Sequence, residues 1–342
     1  MTKNIKKPAT SRDVAKLAGV SQATVSRALS EKDQYLVSQR VREKVFKAAQ
    51  TLQYAPNLFA RGMSGGKINV IGLVIGTGVG PFYNAVILNL VEEFQKHGKQ
   101  CLIFKLDKRG NLKEIIANVM QFQVEAIVVT ASAMTKEIET VSEKINVPIF
   151  LFNRYITDTR TSAVYTDTLQ GGMMAAQYLY EKGHHKIGYV KYLSETIGET
   201  EKYIGFVNYL RNKGIFSIAE DFADYSYESG YAAGLRLLQH NPDITAVFCS
   251  SDIVAIGLMD GVRQELKLDI PKDLSVLGFD NIQMAGWGSY QLTTISQSLD
   301  KLITDLVQIT ISAIRLEENK QAVYRVGLEI VERASVSERN LS

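Results

Sequence analysis

Gln22, Ala23, Thr24, Ser26 and Arg27 crowd one short stretch and supply amide, methyl, hydroxyl and guanidinium groups with no carboxylate among them. That set suits the DNA major groove, where amide and guanidinium groups read base edges in paired hydrogen bonds and a small side chain meets the thymine methyl. A second set is scattered, as isolated polar and aromatic residues that follow apolar runs. Phe82 and Tyr83 come after Pro81, Asn153 and Arg154 after FLF, and Ser251 and Asp252 after VFCS; Asp280 and Asn281 come after VLGF, and Asp167 and Tyr225 also sit at the ends of apolar segments. Carboxylates and amides beside aromatic plates meet the needs of a polyhydroxylated ligand, whose hydroxyls demand paired donors and acceptors while its C–H face packs on a ring. Asp280 is the foremost candidate and Tyr225 the expected stacking partner.

The first set requires a helix pair to present it. Thr10 or Ser11 can cap a helix, and Thr10 with Asp13 approximates a capping box. Val14, Leu17 and Ala18 give that helix an apolar face, and Gly19 can take the positive φ that ends it. Val20 then fills the core. Ser21 caps a second helix whose Val25 and Leu29 point inward, leaving the polar set facing out. A third helix, capped by Ser38, carries Val41, Val45, Ala48 and Leu52 inward and Arg40, Arg42, Lys44 and Lys47 outward. Three such helices make a minimal DNA-binding domain. Charge agrees: residues 1–66 hold 12 Lys plus Arg against 4 Asp plus Glu, net +8, and the remainder holds 27 against 32, net −5. A basic head on a mildly acidic body localises phosphate binding to the N-terminus. Pro56 stops the third helix, and Asn57 can cap a short one ending at Gly65–Gly66, too short to be stable alone in water.

The second set requires strand ends. Beyond Lys67, strand and helix signals alternate through two similar runs, which predicts parallel sheets covered by helices, with ligands beyond the carboxyl ends of the strands. Other motifs carry little. IGLVIGTGVG mimics a dinucleotide loop but lacks the strict glycine spacing. His184–His185 has no further ligand at metal spacing. Cys101 and Cys249 sit in apolar strands and read as core thiols of a reducing compartment. No apolar run reaches the ~18 residues of a membrane span, and the lysine-rich start lacks a signal peptide's apolar core, so the expected location is the cytoplasm. No cofactor or metal is expected.

DVAKLAGVSQATVSRAL, followed by VSQRVREKVFKAAQTLQYAPNLFARGMSGG, resembles the head of the lac repressor (LacI/GalR) family of bacterial transcription regulators. The resemblance implies a small all-α helix-turn-helix head (1–55) joined by a hinge helix (56–66) to an α/β core. That core comprises two doubly wound parallel-sheet subdomains, periplasmic-binding-protein-like, over 67–166 plus 296–326 and 167–295 plus 327–342. The chain would cross between them near Thr166, Ile295 and Tyr324 to Leu328. It also implies that Thr10, Ser11 and Arg12 lie at the DNA backbone and that Ser21, Gln22, Ala23, Thr24, Ser26 and Arg27 enter the major groove. Gln22 and Ala23 stand where operators differ most. Asn57, Ala60, Arg61 and Met63 would belong to a hinge paired over the minor groove, with Met63 as the wedge where leucine is usual. Phe82, Tyr83, Asn153, Arg154, Asp167, Lys202, Tyr225, Ser251, Asp252 and Asp280 would form the effector pocket. Lys202 replaces a usual arginine, trading a bidentate fork for a point charge, and Ser251 replaces a common asparagine.

The partners implied are double-stranded operator DNA, a small effector of the sugar or sugar phosphate class, and a second copy of the chain, as a homodimer without the heptad tail of the family's tetramers. A phosphocarrier-protein corepressor is a further possibility that DYSYESG evokes. The competing readings are a periplasmic-type sugar-binding protein, which would need an export signal and no basic head, and a nicotinamide-dependent enzyme, which would need the missing strict loop.

Overall fold

The computed structural model describes residues 9–30, 34–55, 68–76, 80–106, 111–130, 135–156, 161–193, 197–316 and 321–339. It divides into two compact units, residues 1–68 and 69–342. Among the described residues the first unit holds three α-helices, α1 (Ser11–Ala18), α2 (Gln22–Ala28) and α3 (Gln39–Thr51), and a short 3-10 helix (Gln34–Leu36). Thr10 caps α1 in a full capping box with Asp13, the Thr10 amide donating to the Asp13 carboxylate at 2.8 Å, and Gly19 ends the helix at φ 68°. The Ser21 hydroxyl caps α2 by accepting from the Thr24 amide at 3.1 Å. Val14, Ala15, Val25, Ala28, Val45, Ala48 and Ala49 form the small core.

Leu17 departs from the expected pattern: it is 53% exposed and Ala15 is buried in its place. At about 100° per residue, Val14, Ala18 and Ala15 cluster around one direction, and Leu17 points roughly 110° away from its centre.

The second unit contains two six-stranded sheets. The first sheet is ordered β11-β5-β4-β3-β1-β2, entirely parallel, from β1 (Val70–Ile75), β2 (Gln100–Lys105), β3 (Ala126–Val129), β4 (Ile149–Phe152), β5 (Ser162–Thr166) and β11 (Val323–Val326). Helices α4 (Pro81–Lys96), α5 (Leu112–Met120), α6 (Thr135–Ser142) and α11 (Leu299–Leu316) accompany it. The second sheet is ordered β12-β10-β9-β8-β6-β7, from β6 (Ile187–Tyr192), β7 (Ala219–Ala223), β8 (Ala246–Cys249), β9 (Ser275–Asp280), β10 (Thr293–Ser296) and the antiparallel β12 (Glu329–Val331). Its helices are α7 (Thr168–Glu181), α8 (Ile197–Asn212), α9 (Tyr227–His240) and α10 (Asp252–Glu265). The central strands read as unbroken apolar runs because both faces are covered.

Sheet membership changes after Thr166, after Ser296 and after Val326, so three chain segments join the two subdomains. Helices α7 and α8 pack backbone against backbone: a Cβ on Gly172 would lie 1.8 Å from the Lys202 carbonyl oxygen, and one on Gly205 would lie 2.0 Å from that of Leu169. A backbone carbonyl cannot swing aside as a side chain can. Gly172→Ala is therefore expected to cost about 1–3 kcal/mol of stability by overpacking, read as a lowered urea midpoint; an unchanged midpoint would show that the two helices can part without penalty.

Candidate functional site

The carboxyl ends of strands from both sheets converge on one cavity of about 470 Å³. Most candidates named from the sequence line it: Phe82 and Tyr83 at the start of α4, Asn153 and Arg154 after β4, Asp167 after β5, Lys202 on α8, Tyr225 after β7, Ser251 after β8 and Asp280 at the end of β9. Asp252 does not. It is fully buried and accepts from the Ile282 amide at 2.8 Å and the Thr294 hydroxyl at 2.5 Å. Burial pushes its carboxyl well above the ordinary range, against the pull of those two hydrogen bonds. Its work is structural: with Arg333, which donates to the Asn281 side chain at 2.7 Å, it pins the turn that presents Asp280. That turn has left-handed backbone at two consecutive residues, φ 115° at Asp280 and 57° at Asn281, a conformation that survives only where its surroundings hold it.

A hydrogen-bonded chain crosses the base of the cleft. The Asn153 amide donates to Gln297 Oε1 at 2.6 Å and the Thr166 hydroxyl donates to the same oxygen at 2.9 Å. Gln297 Nε2 then donates to Asp280 at 2.6 Å. The Thr166 backbone amide donates to Asn153 Oδ1 at 3.2 Å and so turns the Asn153 amide nitrogen toward Gln297, whose oxygen must receive it and whose own nitrogen then faces the carboxylate. Lys202 Nζ donates to Glu199 at 3.4 Å and to the Ser250 carbonyl at 2.9 Å, and lies 4.0 Å from the centroid of the Phe279 ring. Glu199 also accepts from the Tyr189 hydroxyl at 2.7 Å. Tyr225 stacks on Tyr192, with ring centroids 4.2 Å apart and planes inclined by 26°. The Ser251 hydroxyl is buried and has no hydrogen-bond partner among the described residues, although it stands at the N-terminus of α10 and faces the cavity.

Burial raises the Asp280 carboxyl to about 7, with Lys202 and Gln297 drawing it down and Glu199 opposing them. Burial and Asp280 together push the Tyr83 phenol up to about 12, so it stays a neutral donor. The sign for stability follows directly. The folded chain holds the Asp280 proton to about 7 and the unfolded chain releases it near 4, so this group makes stability fall as pH rises across that interval. Asp280→Asn removes the dependence. Without ligand, its Tm is expected to gain on that of the parent between about pH 4 and pH 7; a constant gap would contradict the buried, protonated carboxyl.

Tyr192, Glu199, Gln297, Thr166 and the Tyr155–Tyr165 pair also line the cavity and were not singled out by the sequence. Tyr192 ends β6 as Asp280 ends β9, and that strand-end position was the available signal. Glu199 and Gln297 read as ordinary polar residues of a helix start and a loop.

In the head, Gln22, Ala23, Ser26 and Arg27 are exposed along α2, with Thr24 half-buried. Ser21 and Thr10 spend their hydroxyls on capping, Arg12 is exposed, and Gln22 donates to the Ser11 hydroxyl at 3.3 Å. Asn57, Ala60, Arg61 and Met63 lie outside the described residues. His184 is buried, with Nδ1 2.9 Å from the Thr245 hydroxyl and Nε2 3.1 Å from the Ser337 carbonyl oxygen. Among the described residues no cluster of three His, Cys, Asp or Glu could hold a metal ion, and no helix is long and apolar enough to cross a membrane.

A helix-turn-helix head followed by a two-subdomain core with an interlobe cavity defines a DNA-binding transcription regulator with an effector-binding domain. Residues 10–57 match the family of bacterial regulatory proteins of the lacI type, and residues 176–336 match the periplasmic binding protein-like domain. The chain thus carries a lacI-family DNA-binding domain and a periplasmic-binding-protein-like domain, the domain pair of the lac repressor (LacI/GalR) family. The HTH-type transcriptional repressor PurR of Actinobacillus pleuropneumoniae serotype 3 (strain JL03) is 29% identical over 341 residues, covering 98% of this chain and 99% of that one. Among solved structures, the lac repressor dimer bound to operator and the anti-inducer ONPF superposes with a TM-score of 0.85 at 24% identity, over 97% of this chain and 100% of that one. The transcriptional regulator CelR in complex with cellobiose gives 0.70 at 24% identity, over 96% and 99%. At that identity the structural matches speak for the fold alone.

Proposed function

We propose that this chain is a dimeric repressor whose operator affinity is set by a sugar or sugar derivative in the interlobe cavity. One observation carries the reading: the Tyr192–Tyr225 stack stands in the same cavity as Asp280, Gln297 and Asn153, which offer acceptors and donors to ring hydroxyls. The same fold holds cellobiose in the regulator CelR and ribose in a LacI family regulator from Enterococcus faecium, so it is compatible with a saccharide ligand. The exposed face of α2 supplies the major-groove contacts, with Gln22 and Ala23 choosing bases and Arg27 adding a cation.

Because residues from both subdomains line the cavity, a ligand there touches both and favours the arrangement that closes on it. Three chain crossings act as the hinge for such closure. A ligand moves the operator-binding equilibrium only by its differential affinity for the two arrangements. The test is a thermal-shift screen of neutral sugars, sugar phosphates and non-sugar metabolites, followed by operator binding with each hit. A sugar that raises Tm and changes operator affinity is the expected result. A shift confined to non-sugar compounds, or a response to a phosphorylated phosphocarrier protein with every sugar silent, would contradict the proposal.

A further inference from the structure

The cavity has two aromatic stations. Tyr192 and Tyr225 form one, and Tyr155 and Tyr165 form the other, stacked at 5.4 Å with planes inclined by 16°. In the second pair Tyr155 follows the end of β4 and Tyr165 is the penultimate residue of β5, just before the chain first crosses between subdomains, and Tyr155 is 40% exposed while still lining the cavity. It therefore stands at the opening. The same cavity wall carries polar groups suited to hydroxyls: the Asp167 carboxylate, accepting from Arg325 at 3.1 Å, and Glu201, accepting from the Thr168 hydroxyl at 2.5 Å. An aromatic plate sharing a cavity wall with carboxylates is the same chemistry that the interior station offers.

Volume and charge narrow the ligand further. About 470 Å³ falls within the range of roughly 300–1,000 Å³ typical of pockets for drug-sized ligands, and a single pyranose would leave the second station unused. Three carboxylates line the cavity (Asp167, Glu199 and Glu201) against two cations, Arg154 and Lys202, and Asp280 adds a fourth once it ionises near 7. Lys202 is already bonded to Glu199 and to the Ser250 carbonyl. A dianionic phosphate would enter a space where acids outnumber bases, and in a site screened from water that repulsion is felt strongly.

Resting on the sugar reading above, we infer that the ligand is an unphosphorylated two-ring saccharide, with one ring at Tyr225 and the second on the Tyr155–Tyr165 platform at the mouth. Calorimetric titration of the full-length chain with maltose, cellobiose, lactose, sucrose and trehalose tests this, beside glucose, galactose, fructose, glucose 6-phosphate and trehalose 6-phosphate. At least one disaccharide is expected to bind tenfold or more tightly than either of its own monosaccharides, and the phosphates more weakly than their parent sugars. Tyr155→Ala should lower the disaccharide-to-monosaccharide affinity ratio by roughly three- to tenfold, and Tyr155→Phe should keep it. A monosaccharide that binds as tightly as every disaccharide, a phosphate that binds more tightly than its parent sugar, or a ratio unmoved in Tyr155→Ala would overturn this inference alone. Silence from every sugar would overturn it together with the sugar reading.

Discussion

Asp280→Ala is expected to leave the protein folded and able to bind operator but indifferent to its ligand. The carboxylate ends β9 in a strained turn held by Asp252 and Arg333, and it is the terminus of the Asn153–Gln297 chain. A charge-assisted hydrogen bond contributes about 1.5–3 kcal/mol, and above about 7, where Asp280 ionises, the carboxylate can accept from two ring hydroxyls, so the expected loss at pH 8 is about a hundredfold in ligand affinity or more. Removing the group also strips Gln297 of its acceptor and loosens the bridge between subdomains. The thermal shift given by a sugar hit should vanish, while operator affinity without ligand stays within a few-fold of the parent. An undiminished shift would remove Asp280 from the site.

Arg27→Ala should produce the largest effect in the head. The side chain is exposed on α2, outside the Val14–Val25–Val45 core, so its loss costs the fold little. Operator binding at fixed salt is expected to weaken by about 10- to 100-fold, matching about 1–3 kcal/mol for a base-edge contact. The salt dependence tells the two kinds of contact apart: a phosphate contact would lower the slope of log K against log salt by about one, whereas a base contact would relax preference at one position and leave the slope nearly unchanged. Lys186→Ala, which removes the same charge from an exposed pair with Asp243 on the core, is the control and should change operator affinity little. Equal losses in both variants would mean that net charge, and not the face of α2, governs binding.

The head was legible because its signals are local. Thr10 with Asp13, Gly19 and Ser21 act on neighbours within one helical turn, and each does in the structure what its spacing implies. Leu17 was misread because counting i, i+3 and i+4 from Val14 fixes one edge of a stripe without its centre. In the core, alternation placed the strands, but the three crossings came only from family resemblance, since nothing local marks which sheet a strand will join. Asp252 and Asp280 show the limit most clearly. Both are carboxylates after an apolar strand, yet the first sits at the start of α10 and turns into the interior, while the second is turned out by left-handed backbone. Gln297 owes its place to Asn153, far along the chain, and Glu199 to Tyr189 on the preceding strand, and residue type alone carries no trace of either pairing.

The most direct test of a ligand-gated operator switch is fluorescence anisotropy of a labelled operator titrated with the full-length protein, with and without a saturating sugar hit from the thermal-shift screen. The expected result is a shift of the operator Kd by about fivefold or more, in the range of ordinary allosteric coupling, that disappears in Asp280→Ala. By linkage the same factor must reappear in the sugar's Kd when operator is present. Identical operator Kd values with and without a sugar that binds the protein would contradict the account.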